Sequence, residues 1–145
     1  MSGGPEPSAV LLDTCALIWL AAGEPLRDGG EAAIVHAGLA GGVFVSPVSA
    51  WEIGMLSRPK TGRASVFLPD PATWFTRFMA GPSISPAAFT AEIAIAASWL
   101  PGSLHADPAD RMLIATARHL AMPIVTRDSK ILSYAAAGHV TAIAC

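Results

Sequence analysis

Apolar and polar positions alternate along this chain in blocks of two kinds. Ala9-Val10-Leu11-Leu12 is a continuous apolar run that stops at Asp13, as expected of a parallel strand buried on both faces. Cys15 to Leu20 continues with helical spacing, Thr14 is placed to cap it, and Gly23-Glu24-Pro25 ends it. A helix is predicted over 30–39 and a strand over 43–46. Pro47 breaks that strand, and helical spacing returns over 48–56, carrying Trp51 and Glu52. Residues 57–71 are polar and turn-rich. Beyond them come a helix over 72–79, a brief strand over 83–85, and a helix over 90–100 closed by Pro101-Gly102. The most informative stretch runs from Leu104 to Asp128. Asp107 can cap a helix there, Pro108 suits its first turn, and Leu113, Ala117, Leu120 and Ala121 make one apolar face. Met122-Pro123 closes that helix, and Ile124-Val125-Thr126 is a short strand ending at Arg127-Asp128. Ser129 is read as the cap of a helix through Ala137 stopped by Gly138, and 140–143 as a last, edge strand. Strand and helix alternate throughout, which predicts an α/β fold with a mostly parallel sheet.

Composition narrows the picture. At 145 residues, 52% hydrophobic and 14% charged, the chain can bury a real core in one domain. Residues 1–8 read as a disordered lead without the basic, then apolar, layout of a secretory signal, and 9–145 as the domain. No apolar run approaches the roughly 20 residues that span a bilayer. Cys15 and Cys145 lack metal-type spacing, so a reduced, cytoplasmic setting is the default. The net charge of −2 conflicts with nucleic-acid binding unless cations or a local basic patch supply the field.

Four carboxylates stand out by position: Asp13 and Asp128 at strand ends, Glu52 within a helix and Asp110 in a first helical turn. Each has a structural use open to it. Ser49-Ala50-Trp51-Glu52 fits a capping box, Asp107 and Asp110 both suit a helix start, and Asp128 suits a turn. Asp13 is harder to explain that way, because a carboxylate directly after a buried strand is desolvated and needs a partner or a cation. In a parallel sheet, strand C-termini and helix N-termini share one edge, where sites are built. Carboxylates gathered there call for a hard, oxygen-seeking ion, Mg²⁺ or Mn²⁺, rather than Zn²⁺. A pair of such ions can activate water and stabilise both oxygens of a phosphoryl transfer. Arg58, Lys60, Arg63, Arg111 and Arg127 are candidate phosphate contacts. His105 reads as a hydrogen-bonding or surface residue, and Trp19, Trp51, Trp74 and Trp99 as core or interface residues.

On the stretches LLDTCALIWL, SPVSAWEIGML, LPDPATWF, ISPAAFTAEIAIAASWLPG and LHADPADRMLIATARHLAMPIVTRDSKI, with Tyr134, the chain resembles a PIN-domain ribonuclease of the VapC toxin type. The likeness runs from Val10 to about Tyr134. It implies a three-layer α/β/α sandwich, with an acidic quartet at Asp13, Glu52, Asp110 and Asp128 that holds metal and carries catalysis. Asp107 is implied as a further ligand or cap, and Thr14 and Thr126 as hydroxyls bonded to the carboxylates. Further implications are Mg²⁺- or Mn²⁺-dependent cleavage of RNA, a homodimer, and inhibition by a VapB-type antitoxin in a hetero-oligomer. Two positions depart from the pattern: Cys15, often His, and Leu56, commonly Lys. The non-enzymatic alternative is a catalytically inactive PIN-fold module that binds RNA or protein; the retained quartet argues against it. A haloacid-dehalogenase reading fails because position 15 is Cys where a second Asp is needed. A receiver domain fails for want of its acidic pair and late Lys.

Overall fold

The computed structural model describes residues 6–27, 29–59 and 66–145. Its elements are β1 (Ala9–Leu12), α1 (Thr14–Ala22), α2 (Gly30–Gly38), β2 (Gly42–Val45), α3 (Pro47–Leu56), α4 (Pro71–Met79), β3 (Ile84–Pro86), α5 (Ala91–Ser98), α6 (Pro108–Leu120), β4 (Ile124–Thr126), α7 (Ser129–Ala136) and β5 (Ala142–Ala144). The strands form one parallel sheet in the order β3-β2-β1-β4-β5. Alternation of strand and helix thus produces the α/β architecture anticipated, with the strand near the C-terminus at an edge. Pro86 sits in the other edge strand, where a missing N–H leaves no ladder bond unmade.

Two cores lie on opposite faces of the sheet, and β1 feeds both. Val10 and Leu12 pack with Leu17, Ile34, Ala37 and Ile53 on one side, while Leu11 packs with Leu113, Ile114, Ile131 and Tyr134 on the other. All three β1 side chains are wholly buried. The two-residue period of a strand therefore operates inside an unbroken apolar run, which is why β1 shows no polar alternation. Helices α1 and α2 cover the first face and α6 and α7 the second, giving three layers; α5 packs outside α6 through Ile93, Ala97 and Ala115.

Strand order also fixes where a site can form. The chain builds outward from β1 through β2 to β3, returns to lay β4 on the other side of β1, and continues to β5. The direction of winding reverses between β1 and β4, and beyond the C-terminal ends of those strands the helices diverge and leave a crevice. Leu12 is in register with Val125, so Asp13 and Thr126 leave the sheet side by side.

Several helix starts differ from the sequence reading by a residue or more. Asp13, not Thr14, caps α1, accepting from the Ala16 N–H at 2.8 Å. Asp128, not Ser129, caps α7 through the N–H groups of Lys130 and Ile131. Helix α3 begins at Pro47 with Ser46 as its cap, so Ser49 and Glu52 lie inside the helix and make no capping box. Thr90 caps α5, which ends at Ser98 rather than Leu100.

Candidate active site

Three of the four singled-out carboxylates are set by helix starts. Asp13 and Asp128 each follow a strand and cap the next helix. Asp110 lies in the first turn of α6, whose cap, Asp107, accepts the Asp110 N–H at 2.9 Å. Pro108 is in the first turn, where its lack of an N–H is harmless. Glu52 arrives from the middle of α3, where no backbone donor needs it.

Hydroxyls, rather than cations, hold these groups. The Thr126 hydroxyl donates to Asp13 Oδ2 and accepts the Asp128 N–H at 2.9 Å, tying the ends of β1 and β4 together. The Thr14 hydroxyl donates to Glu52 Oε1 and shares a 2.9 Å hydrogen bond with the buried Ser49 hydroxyl. His105 Nε2 lies 2.7 Å from Asp110 Oδ2, and its Nδ1 is buried without a partner. An ionised carboxylate only accepts, so the shared hydrogen sits on Nε2. Among the described residues, Glu52 Oε2, Asp110 Oδ1 and Asp128 Oδ2 receive no protein donor.

The electrostatics follow from burial with no lysine or arginine partner among the described residues. Asp13 is 4% exposed, and burial pushes its carboxyl up to about 6 against the bonds from Thr126 and Ala16; Asp110 and Glu52 push it further the same way. Glu52 and Asp110 are raised too, burial first, with Asp110 and Asp107 acting on Glu52, and Asp107 and Asp128 on Asp110. The Cys15 thiol is pushed up to about 11 by burial, then by Asp13, Glu52, Asp110 and Asp128. One thiol thus senses all four carboxylates, and it stays protonated at neutral pH. Among the described residues no lysine or arginine pairs with any of the four, and the His105 imidazole contacts only Asp110.

The donors are hard oxygens on groups that repel one another, which matches the chemistry of Mg²⁺ or Mn²⁺. Three uncommitted oxygens beside Asp13 suit such an ion in chemical type. As placed, no three His, Cys, Asp or Glu side chains among the described residues are grouped closely enough to hold a metal ion.

The candidate phosphate contacts fare differently. Arg127 donates from Nε to the Cys145 carbonyl at 2.7 Å and from a terminal nitrogen to the Pro25 carbonyl at 2.9 Å, with its guanidinium 3.6 Å from the Trp19 ring centroid. Arg111 Nε donates to the Ala97 carbonyl at 3.0 Å and joins α6 to α5. Arg127 is thereby tied into packing, whereas Arg111 commits only Nε and leaves its terminal nitrogens without a protein acceptor among the described residues. Arg58 is exposed beside Met55. Lys60 and Arg63 lie outside the described residues. Sequence reasoning passed over Ser46 and took Ser49 for a cap. The Ser46-Pro47 pair was the signal for the true start of α3, whereas nothing local marks the Ser49–Thr14 bond.

Comparison with known proteins places this arrangement. A model of the PIN domain matches residues 10–137. No curated protein matches the sequence significantly. Among solved structures, VapBC2 from Rickettsia felis, bound to a DNA fragment from its promoter, is similar with a TM-score of 0.64 at 12% identity, covering 94% of this chain and 98% of that one. DNA-bound VapBC from Salmonella typhimurium gives 0.59 at 13% identity, covering 94% and 97%. FitAB bound to a DNA fragment gives 0.58 at 22% identity, covering 93% and 94%. These likenesses carry the fold. With the family model spanning most of the sequence and the sheet topology agreeing, the chain belongs to the PIN domain family.

Proposed function

We propose that this protein is the toxin of a type II toxin–antitoxin pair, a VapC-type endoribonuclease that cleaves RNA phosphodiester bonds with Mg²⁺ or Mn²⁺. The observation that carries this reading is the set of carboxylates at the β1–β4 crevice, raised by burial and by one another and held by hydroxyls. Asp13, Asp110 and Asp128, with Glu52 from α3, would hold the cation; bound there, it supplies the positive charge that a polyanionic substrate requires. The chain's own groups do the remaining work. Thr126 and the Ala16 N–H fix both oxygens of Asp13, His105 fixes one oxygen of Asp110, and Thr14 fixes one of Glu52. Their other lone pairs are thereby aimed before substrate arrives, so little reorganisation accompanies reaction.

Residues 9–145 act as one PIN domain in this reading. The solved neighbours are two-component complexes, and by that analogy the partner is a VapB-type antitoxin. A basic segment of it would be drawn to the negative crevice and would block RNA there. Exposed Trp51, Ile95 and Trp99 offer apolar surface for that partner or for a second copy. No helix among the described residues is long and apolar enough to cross a membrane.

The test is cleavage of a mixed RNA substrate in Mg²⁺ or Mn²⁺. Asp110→Ala is expected to abolish cleavage while thermal unfolding remains a single cooperative transition. Normal cleavage by a folded Asp110→Ala protein would refute the assignment.

A further inference from the structure

The acidic crevice cannot bind RNA through metal charge alone, because a strand of several nucleotides carries phosphates on both sides of the one being cut. Some fixed cation must meet them. Arg127 is bonded to main-chain carbonyls, Arg118 donates to the His139 carbonyl, Arg111 gives its Nε to the Ala97 carbonyl, and exposed Arg58 lies just past the end of α3. Lys130 is different. It follows Asp128 by two residues in the first turn of α7, is exposed, and makes no ion pair among the described residues.

Lys130 also lines a cleft. Between the 103–105 segment and α7 lies a cavity of about 390 Å³ bordered by Ser103, His105, Ser129, Lys130, Ser133 and Tyr134. That volume falls in the range that accommodates a small ligand such as one nucleotide. One end of it adjoins the active site, and Ala137 and His139 line it at the other. His105, in its wall, bonds Asp110, and Ser129 adjoins Asp128 in the chain. Three exposed serine hydroxyls can both donate and accept, which suits phosphate oxygens and ribose hydroxyls. A larger cavity of about 860 Å³ is lined by Met122, Pro123 and Thr141, at the opposite end of β4 and β5, and has no carboxylate in its wall.

We propose that the Lys130 cleft is an RNA subsite, seating the nucleotide next to the scissile phosphate, with Lys130 on its phosphate and the serine hydroxyls on phosphate and ribose. This rests on the ribonuclease reading and names where its substrate runs.

The experiment is steady-state cleavage of a single-stranded oligoribonucleotide in Mn²⁺ at several salt concentrations, with Mn²⁺ binding followed separately by electron paramagnetic resonance. Lys130→Ala is expected to raise KM about tenfold with kcat within about twofold, and to flatten the log–log salt dependence of kcat/KM by about 0.7. Lys130→Arg should restore both. Ser133→Trp, which fills the cleft and keeps the charge, should raise KM without changing the salt slope. Mn²⁺ binding should be unaltered in all three variants. An unchanged KM and slope in Lys130→Ala, or a fall in kcat alone, would overturn the subsite while leaving the nuclease standing. Intact RNA with the unmodified protein would instead remove the nuclease reading and the subsite with it.

Discussion

The two ends of the sheet differ in a way that cavity size does not reveal. At the strand N-termini the larger hollow is walled largely by alanines and other apolar residues, and Arg118 there is occupied by a carbonyl. At the strand C-termini the open space is smaller, yet Asp13, Glu52, Asp110 and Asp128 all act on one thiol, and among the described residues none of them meets an arginine or lysine. Volume follows from how helices end, whereas chemistry follows from where the winding of the sheet reverses. Only the second end combines burial with unbalanced charge. That combination is unstable in isolation and therefore informative.

The sharpest way to break this comparison is Asp13→Asn, which keeps shape and removes charge. Cleavage should fall by on the order of 10³-fold. Stability of the metal-free protein at neutral pH should rise by on the order of 2 kcal/mol, since the carboxyl stands at about 6 in the fold against 3.8 for an ordinary aspartate. The sign follows from proton binding. Between those two values the folded state holds a proton that the unfolded state releases. The destabilisation is thus fully present above about 6 and fades as pH falls toward 4. Thermal melts in chelator at pH 5.5 and 7.5 should show the unmodified protein gaining stability at the lower pH relative to Asp13→Asn. A variant less stable than its parent at pH 7.5 would contradict the burial argument.

A smaller effect is expected from Thr126→Val, which removes the donor to Asp13 Oδ2 and the acceptor for the Asp128 N–H. Cleavage should drop about 10- to 100-fold and stability by roughly 1–3 kcal/mol. Full activity would show that the hydroxyl link between β1 and β4 has no part in positioning. The smallest effect belongs to the opposite end. Arg118→Met should leave cleavage within about twofold, losing only a surface contact to a carbonyl. A tenfold loss there would dissolve the distinction between the two ends.

Legibility in the sequence tracked the range of the interactions involved. The buried run at 9–12, the Asp107-Pro108 helix start and the closure at Met122-Pro123 were readable because their causes lie within a few residues. The caps were misread where one side chain has two uses. Asp13 and Asp128 cap helices and also face the crevice, and a reading that reserved them for chemistry passed the capping to Thr14 and Ser129. Ser49-x-x-Glu52 imitated a capping box because Ser46-Pro47 had already begun α3 one turn earlier. The bonds that assemble the crevice join Thr14 to Glu52 and Thr126 to Asp13 across 38 and 113 residues, and no local pattern encodes them. Arg111 and Arg127 each give a donor to a main-chain carbonyl, and a charge in a sequence does not disclose which carbonyl will claim it.

The Thr126–Asp13 bond has a temporal corollary. During translation Asp13 emerges early, but its neighbour across the sheet is made only after 113 further residues. The crevice is therefore incomplete until β4 lies beside β1, and nearly the whole period of synthesis passes before its two central strands can be joined.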